Sequence, residues 1–351
     1  PFSVLDARQG YWQDRKRAWI ALGIKGELGR GDDTGALNDS AEFADTLARK
    51  AMYDSKQVRS GYGETFGSGK PSDLPNAYKN QGKLNAMRAN AKAGGAPMPA
   101  MDYTDGERGE GAQSGTSVFD PVLVELVYRW FCPSGGKILD PFAGESTKGI
   151  VSEYLGYPYT GIELRAEQIA ANEAQAEIIK LHPKWILGDS EKIGQLLPAG
   201  EMYDLIFTSP PYYDLEIYSE SEKDGSAFET YEKFMQWYKT IFEQSIARLN
   251  ENRFLVVKIG EIRHKKTGVY RNFLGDNISC FIDLGLQYYN EMVLVTAIGS
   301  LPLRVGRAFS IARKIGKTHQ NILVFYKGDP KHIKDYFPLE VDHADLEAIN
   351  E

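Results

Sequence analysis

The sequence predicts a doubly wound α/β domain: a seven-stranded, mostly parallel sheet with helices on both faces, preceded by an N-terminal accessory segment. Three features carry that expectation. From residue 117 onward, short apolar runs of strand length alternate with longer stretches whose apolar residues recur at helical spacing. Several of these runs end in an acid or a small-residue turn, as strands of a wound sheet do at their carboxyl edge. The chain of 351 residues, 42% of them hydrophobic, is also long enough to bury one sizeable core.

Taken in order, residues 1–114 read as the accessory region. They open on a basic, aromatic stretch (Tyr11, Trp12, Arg15, Lys16, Arg17, Trp19), followed by a helix expected from Asp39 to Lys50. Residues from about 54 to 115 are rich in Gly, Asn, Ala, Ser and Pro, which suits a flexible linker. Lys56, Arg59, Lys70, Lys79, Lys83, Arg88 and Lys92, with Tyr62, Phe66 and Tyr78 among them, also suit a segment that orders along phosphates. Residues 115–330 carry the wound domain and 331–351 a tail. Asp120-Pro121 caps a helix that Cys132-Pro133 stops, because Asp accepts from the first free N–H groups and Pro needs none. Strands are then expected at 137–140, 159–162, 185–189, 203–207, 253–259, 288–297 and 321–326, with helices around Ile150, Val151 and Leu155 and at 165–181, 228–249 and 275–284. A basic connection without a strongly apolar helix joins the last two strands, so that pair is expected to be antiparallel.

The most informative stretch is Leu205-Ile206-Phe207-Thr208-Ser209-Pro210-Pro211-Tyr212-Tyr213. Two prolines fix the backbone and remove two N–H donors, leaving a rigid ledge rich in acceptors with tyrosines beside it. Such a ledge suits a flat ring bearing an amino group, a nucleobase above all. Asp140, Glu163 and Asp189 close three strands on the same edge of the sheet. Three acids around one crevice suit a cationic amine, a ribose diol and an adenine amino group, the set that S-adenosylmethionine presents. The chain has no phosphate-cradling P-loop sequence, which disfavours a nucleoside triphosphate.

Asp140-Pro141-Phe142-Ala143-Gly144 followed by Thr147, together with Thr208-Ser209-Pro210-Pro211-Tyr212, resembles the amino-methyltransferases of DNA, which methylate N4 of cytosine or N6 of adenine. The resemblance spans residues 115–327 and implies a Rossmann-like class I methyltransferase fold. It implies S-adenosylmethionine as cofactor and double-stranded DNA as partner, with the target base flipped out and methylated directly. Cofactor contacts are implied for Thr116, Ser117 and Phe119, for Asp140, Pro141, Phe142, Ala143, Gly144 and Thr147, and for Glu163, Leu164, Asp189 and Ser190. The catalytic set is Ser209, Pro210, Pro211 and Tyr212: the Ser209 hydroxyl and the Pro210 carbonyl accept from the amine while Tyr212 stacks on the base. Serine at position 209 favours cytosine over adenine, and the order of the motifs suits a permuted cytosine-N4 enzyme of phage or bacterial type. Where the family commonly has Gly-Ser-Gly-Thr this chain has Gly144-Glu145-Ser146-Thr147, with Glu145 expected to face solvent or the sulfonium. Thr208 and 214–218 read as a flap. That departure at Glu145 and Ser146 is the one feature favouring a catalytically silent nucleic-acid-binding module.

Charge sharpens where DNA would lie. The net charge of −7 excludes a generally basic coat, so local runs matter. Arg263, Lys265 and Lys266 follow the fifth strand, and Arg304, Arg307, Arg313 and Lys314 precede the last; both runs read as loops that meet phosphates. Two cysteines, Cys132 and Cys280, form neither a disulfide framework nor a metal-ligand spacing and read as packing residues. No metal and no membrane span are expected, and a cytoplasmic setting follows. Opening on Pro1, the chain reads as a trimmed piece of a longer one.

Overall fold

The computed structural model describes residues 1–24, 119–213, 228–296 and 301–337. They belong to a unit formed by Pro1–Arg30 and Ser117–Glu351, while a second unit, Gly31–Thr116, lies outside the described residues together with the helix expected at 39–50. In chain order the elements are β1 (Val4–Asp6), α1 (Gly10–Ala21), α2 (Pro121–Phe131), β2 (Ile138–Asp140), α3 (Thr147–Tyr154), β3 (Tyr159–Glu163), α4 (Ala166–Ile179) and β4 (Lys184–Leu187). There follow α5 (Ile193–Leu196), β5 (Tyr203–Thr208), α6 (Tyr231–Ala247), β6 (Leu249–Ile259), α7 (Phe273–Asp283), β7 (Gln287–Val295), α8 (Leu301–Ala312), β8 (His319–Lys327) and α9 (Ile333–Tyr336).

The strands form one sheet in the order β1-β7-β8-β6-β5-β2-β3-β4. Every pairing is parallel except those of β8, which runs antiparallel to both β6 and β7. This is the Rossmann-like α/β architecture expected, with an antiparallel strand where the short basic connection placed one. The central strands are apolar throughout because both faces are covered. Leu205, Phe207, Phe254, Val256, Ile322 and Val324 enter one core with Trp12, Trp19 and α2, and Ile206, Leu255, Val257, Leu323 and Phe325 enter the other with α6 and α7. Successive residues point to opposite faces, so one strand feeds both cores.

Two elements differ from expectation. The sheet has eight strands, because Val4–Asp6 pairs in parallel with β7, Val4 against Val293. Three residues are too few to show a period, so residues 1–24 read as accessory although they complete the sheet. The connection before β8 holds the helix α8, in which Pro302 and Gly306 weaken the local helical signal. Arg304 and Arg307 therefore lie on a helix rather than a loop, with side chains outside those described. No described helix is long and apolar enough to cross a membrane.

Helix α1 docks on α2 through two carboxylates. Asp120 caps α2 through Val122 N at 3.0 Å and Leu123 N at 3.3 Å, and also accepts from Trp12 Nε1 at 3.2 Å and Lys16 Nζ at 3.2 Å. One turn on, Glu125 accepts from both arms of Arg15 at 2.7 and 2.6 Å, from Trp19 Nε1 at 2.8 Å and from Arg129 at 3.0 Å. Burial pushes the Glu125 carboxyl up, and those donors more than reverse it, holding it below the usual glutamate range.

Glu125→Gln should therefore cost about 1–2 kcal/mol of stability at neutral pH, a modest value because Arg15 and Arg129 are half-exposed and screened. A carboxyl whose pKa is depressed on folding stabilises above its unfolded pKa and loses that contribution as pH falls through the folded value. Urea titrations of both proteins should accordingly converge in acid; a gap that stays constant with pH would contradict the assignment.

Candidate active site

The carboxyl ends of β2 and β5 meet at Asp140, which Tyr159, the first residue of β3, also reaches. Asp140 is fully buried, and its carboxylate gathers donors from four directions. Phe142 N bonds Oδ1 at 3.1 Å, Thr208 Oγ1 bonds Oδ1 at 2.7 Å, Tyr159 OH bonds Oδ2 at 2.9 Å, and Lys148 Nζ lies 2.5 Å from Oδ2. Lys148 is itself 2% exposed and also donates to Phe142 O at 3.0 Å. Asp140 was expected as one of three acids lining the crevice. Its carboxylate is paired with Lys148 within the protein, because burying a carboxylate is costly unless a counter-ion and several donors accompany it. Thr208, expected in a flap, is fully buried by the same contact.

The turn after Asp140 is closed by its neighbours. Pro141 O accepts from Ser190 Oγ at 2.5 Å, and Ala143 N donates to Ile162 O at 3.0 Å. Thr147 gives both its N–H (3.0 Å) and its hydroxyl (2.7 Å) to Glu145 Oε2. Ser190 and Thr147, expected to touch cofactor, thus spend these hydroxyls on bracing the turn. Glu145 is 6% exposed and folds over the start of α3, which rules out the solvent-facing one of its two expected positions, because free helix N–H groups attract a carboxylate. Gly144 has φ +58 and nothing within 4 Å of where a Cβ would stand, so the backbone is bare toward the crevice. Its N–H donates to Glu163 Oε2 at 3.1 Å, while Arg165 N donates to Glu163 Oε1 at 2.9 Å. Burial outweighs these donors and pushes the Glu163 carboxyl up. Leu164 and Asp189 are half-buried, with Asp189 accepting from Glu191 N at 3.1 Å.

Behind the turn stands a stripe that the sequence reading missed. Gln168, Asn172 and Gln175 share one face of α4, and each is 1% exposed. Gln168 donates to Asn172 at 2.9 Å, Asn172 to Gly144 O at 2.8 Å and Gln175 to Gly23 O at 3.1 Å, while Ser146 Oγ bonds Gln175. Their spacing of four and three residues was the available signal, hidden because the buried face of a helix is expected to be apolar.

The ledge follows directly from the Asp140 anchor. Ser209 Oγ donates to Lys258 O at 3.1 Å, which turns its lone pairs away from β6. Pro210 is buried, Pro211 and Tyr212 are half-buried, and the Tyr212 ring meets the edge of Phe273 at 6.1 Å. Phe119 lies 5.7 Å edge-on to Phe207, with the ammonium of Lys258 4.3 Å and that of Lys148 5.2 Å from its ring centre. Phe142 packs at 5.8 Å on Trp237. The structure therefore brings Phe119, Asp140–Thr147, Glu163, Asp189, Ser190 and the Ser209–Tyr212 ledge to one sheet edge; Thr116, Ser117 and the rest of the expected flap lie outside the described residues. Cys132 and Cys280 are buried away from solvent, and burial pushes the Cys280 thiol up to about 11.

Removing one member of the Asp140 pair strands the other charge in the core. Asp140→Ala should cost about 3–5 kcal/mol in urea unfolding, and adding Lys148→Met should restore part of that loss. Strict additivity of the two substitutions would rule out the pairing as the source.

The chain is similar to the structure of TrmN from Thermus thermophilus (14% identity, 60% of this chain and 49% of that one, TM-score 0.39) and to a methyltransferase from Pyrococcus furiosus (15%, 71% and 100%, 0.39). It is also similar to TehB from Haemophilus influenzae (15%, 61% and 64%, 0.37). This chain spans about half the length of the first of these. No curated protein matches the chain. A family model described as DNA methylase, of the N6 and N4 type, matches residues 203–351, from the first residue of β5 onward. Over that span, which includes the ledge, the chain is similar to the DNA methylase family.

Proposed function

We propose that the protein transfers a methyl group from S-adenosylmethionine to an exocyclic amine of a base flipped out of double-stranded DNA, with N4 of cytosine as the target. The observation that carries this reading is the direct bond between the two halves of the site, Thr208 Oγ1 to Asp140 Oδ1 at 2.7 Å. It ties the ledge for an amine-bearing ring to the turn beside the crevice, so both hold one relative position. The family match over the ledge supports the DNA substrate.

The crevice fits the cofactor by its own features. Gly144 leaves open space where a side chain would intrude, and Glu163 keeps a carboxylate at the adjoining strand end, raised in pKa by burial and suited to accept from hydroxyl groups. Phe142, Leu164 and Asp189 would border the nucleoside, and Phe119 the opposite end. Bound there, S-adenosylmethionine supplies an electrophilic methyl group. The chain's own contribution is positional. Ser209, its proton committed to Lys258 O, and the Pro210 carbonyl accept the two N–H bonds of the target amine, which directs the nitrogen's remaining electron pair away from the ledge. Tyr212 stacks on the ring, and Pro211 offers no competing donor. Serine rather than an acid or amide before Pro210 supports cytosine as a tendency of the family that the sequence resembles.

Incubating the protein with labelled cofactor and unmodified duplex DNA, then digesting to nucleosides, should yield N4-methylcytosine by mass. N6-methyladenine would replace cytosine by adenine in the assignment, and cofactor binding without transfer would point to a silent nucleic-acid-binding module. Ser209→Ala should slow transfer about 10- to 100-fold with cofactor affinity held within about twofold. Because hydroxyl donors favour the ionised form of Glu163, cofactor affinity should weaken as pH falls through that raised pKa. Glu163→Gln should bind S-adenosylhomocysteine more weakly near neutrality and lose the pH dependence in calorimetry; an unchanged profile would remove Glu163 from the cofactor site.

A further inference from the structure

Residues 263–271 form an arm between β6 and α7. Arg263 and Tyr270 pair as an isolated antiparallel bridge, His264 N donates to Val269 O at 2.9 Å, and Gly268 N to His264 O at 2.7 Å. The tip is Lys265-Lys266-Thr267, all exposed, and Gly268 turns the chain at φ +70. The Arg263 guanidinium carbon lies 3.8 Å from the centre of the Tyr270 ring, and Arg263 Nη1 donates to Gly268 O at 2.9 Å. One face of Tyr270 is thus held by a planar cation that is itself bonded to the turn, yet Tyr270 is 44% exposed and Val269 65%. The ammonium end of Lys314 packs against Gly268, where a Cβ would collide with it, so the two basic runs form one patch.

Both legs of the arm leave from the ledge. Arg271 N donates to Ile262 O at 2.8 Å, and the Arg271 guanidinium carbon lies 4.8 Å from the ring centre of Tyr213. A Cβ at Gly260 would stand 3.7 Å from Tyr212 OH. An exposed aromatic ring among cations, on a stem rooted at the ledge, has a clear electrostatic and stacking complement in a duplex: phosphates for the lysines, a base face for the ring. Burial cannot explain the Tyr270 ring, since it is exposed, and a purely phosphate-binding loop would gain nothing from Val269 and Tyr270.

We propose that the 263–271 arm opens the duplex at the target: Tyr270, held flat by Arg263, stacks on the bases that the flipped nucleotide leaves behind, while Lys265, Lys266 and Lys314 hold the flanking phosphates. This rests on the reading of double-stranded DNA as substrate. Extruding a base costs the duplex its stacking on both sides, and a side chain that replaces part of it lowers the barrier. The arm is therefore a positioning device, acting on the duplex rather than on the reacting amine.

The test uses a duplex bearing the sequence that the wild-type enzyme methylates, in perfect form and with a mismatch opposite the target base. Tyr270→Ala should lower kcat/KM about 10-fold or more on the perfect duplex, Tyr270→Phe by less than about twofold, and neither should alter cofactor affinity. On the mismatched duplex, where the base is already unpaired, the Tyr270→Ala deficit should shrink. Lys266→Ala should lower the slope of log affinity against log salt by about one. An equal deficit on both duplexes, or a Tyr270→Ala enzyme as active as wild type, overturns the arm while leaving the methyltransferase reading intact. Wild-type protein that transfers no methyl group to any duplex overturns both.

Discussion

The buried carboxylate of Asp140 is the constraint on which the rest of the site depends. A charge with no solvent exposure persists only if a counter-ion and enough donors surround it, and here they come from separate elements: Lys148 from α3, Tyr159 from β3, Thr208 from β5 and the backbone of Phe142. Satisfying one carboxylate therefore fixes four segments at once. The residue after Thr208 is Ser209, so the start of the ledge is held through a single peptide from the anchor. A site that must align an amine with a second ligand gains from such a link, because a shift of either half would strand a buried charge.

The same depth explains what the sequence did and did not reveal. The strands β5, β6 and β8 were legible because burial on both faces makes them continuously apolar. The acids at 140, 163 and 189 were legible as strand ends, but not in their division of labour. Nothing local marks Asp140 as the fully buried one, since its partner Lys148 sits on the next helix, where a lysine ordinarily reads as solvent-exposed. The amide stripe on α4 was missed for the complementary reason. Gln168, Asn172 and Gln175 take most of a buried face that holds only Ile169 and Ala176 as apolar side chains, and a helix of that kind gives little amphipathic signal.

Topology accounts for the meeting of the two basic runs. In β6 the chain reaches the ledge side of the sheet at Ile259, and β8, antiparallel to it, starts from the same side, with Ile259 paired to Asn321. Whatever follows β6 and precedes β8 must therefore emerge at one edge, beside Ser209. With parallel pairing the runs would have left opposite edges of the sheet. A chain of net charge −7 thus places cations of both runs on the patch beside the ledge, although they are tens of residues apart in sequence.

Substitution at the turn after β2 follows the same logic of replacing freedom by bonds. At Glu145 and Ser146, where the family that the sequence resembles commonly carries Ser and Gly, the side chains are 6% and 2% exposed and both are engaged: Glu145 with Thr147 at the start of α3, Ser146 with Gln175. A second glycine would let the turn sample several conformations, whereas here its shape is held by contacts outside it. Gln175 carries that hold onward to Gly23 O, and Trp12 and Lys16 of α1 bond Asp120, the residue after Phe119. The first 24 residues thereby brace the crevice from two sides. Removing them would leave Asp120, Glu125 and Gln175 short of partners that no other described segment supplies, so these residues belong to the wound domain by energetics as well as by strand pairing.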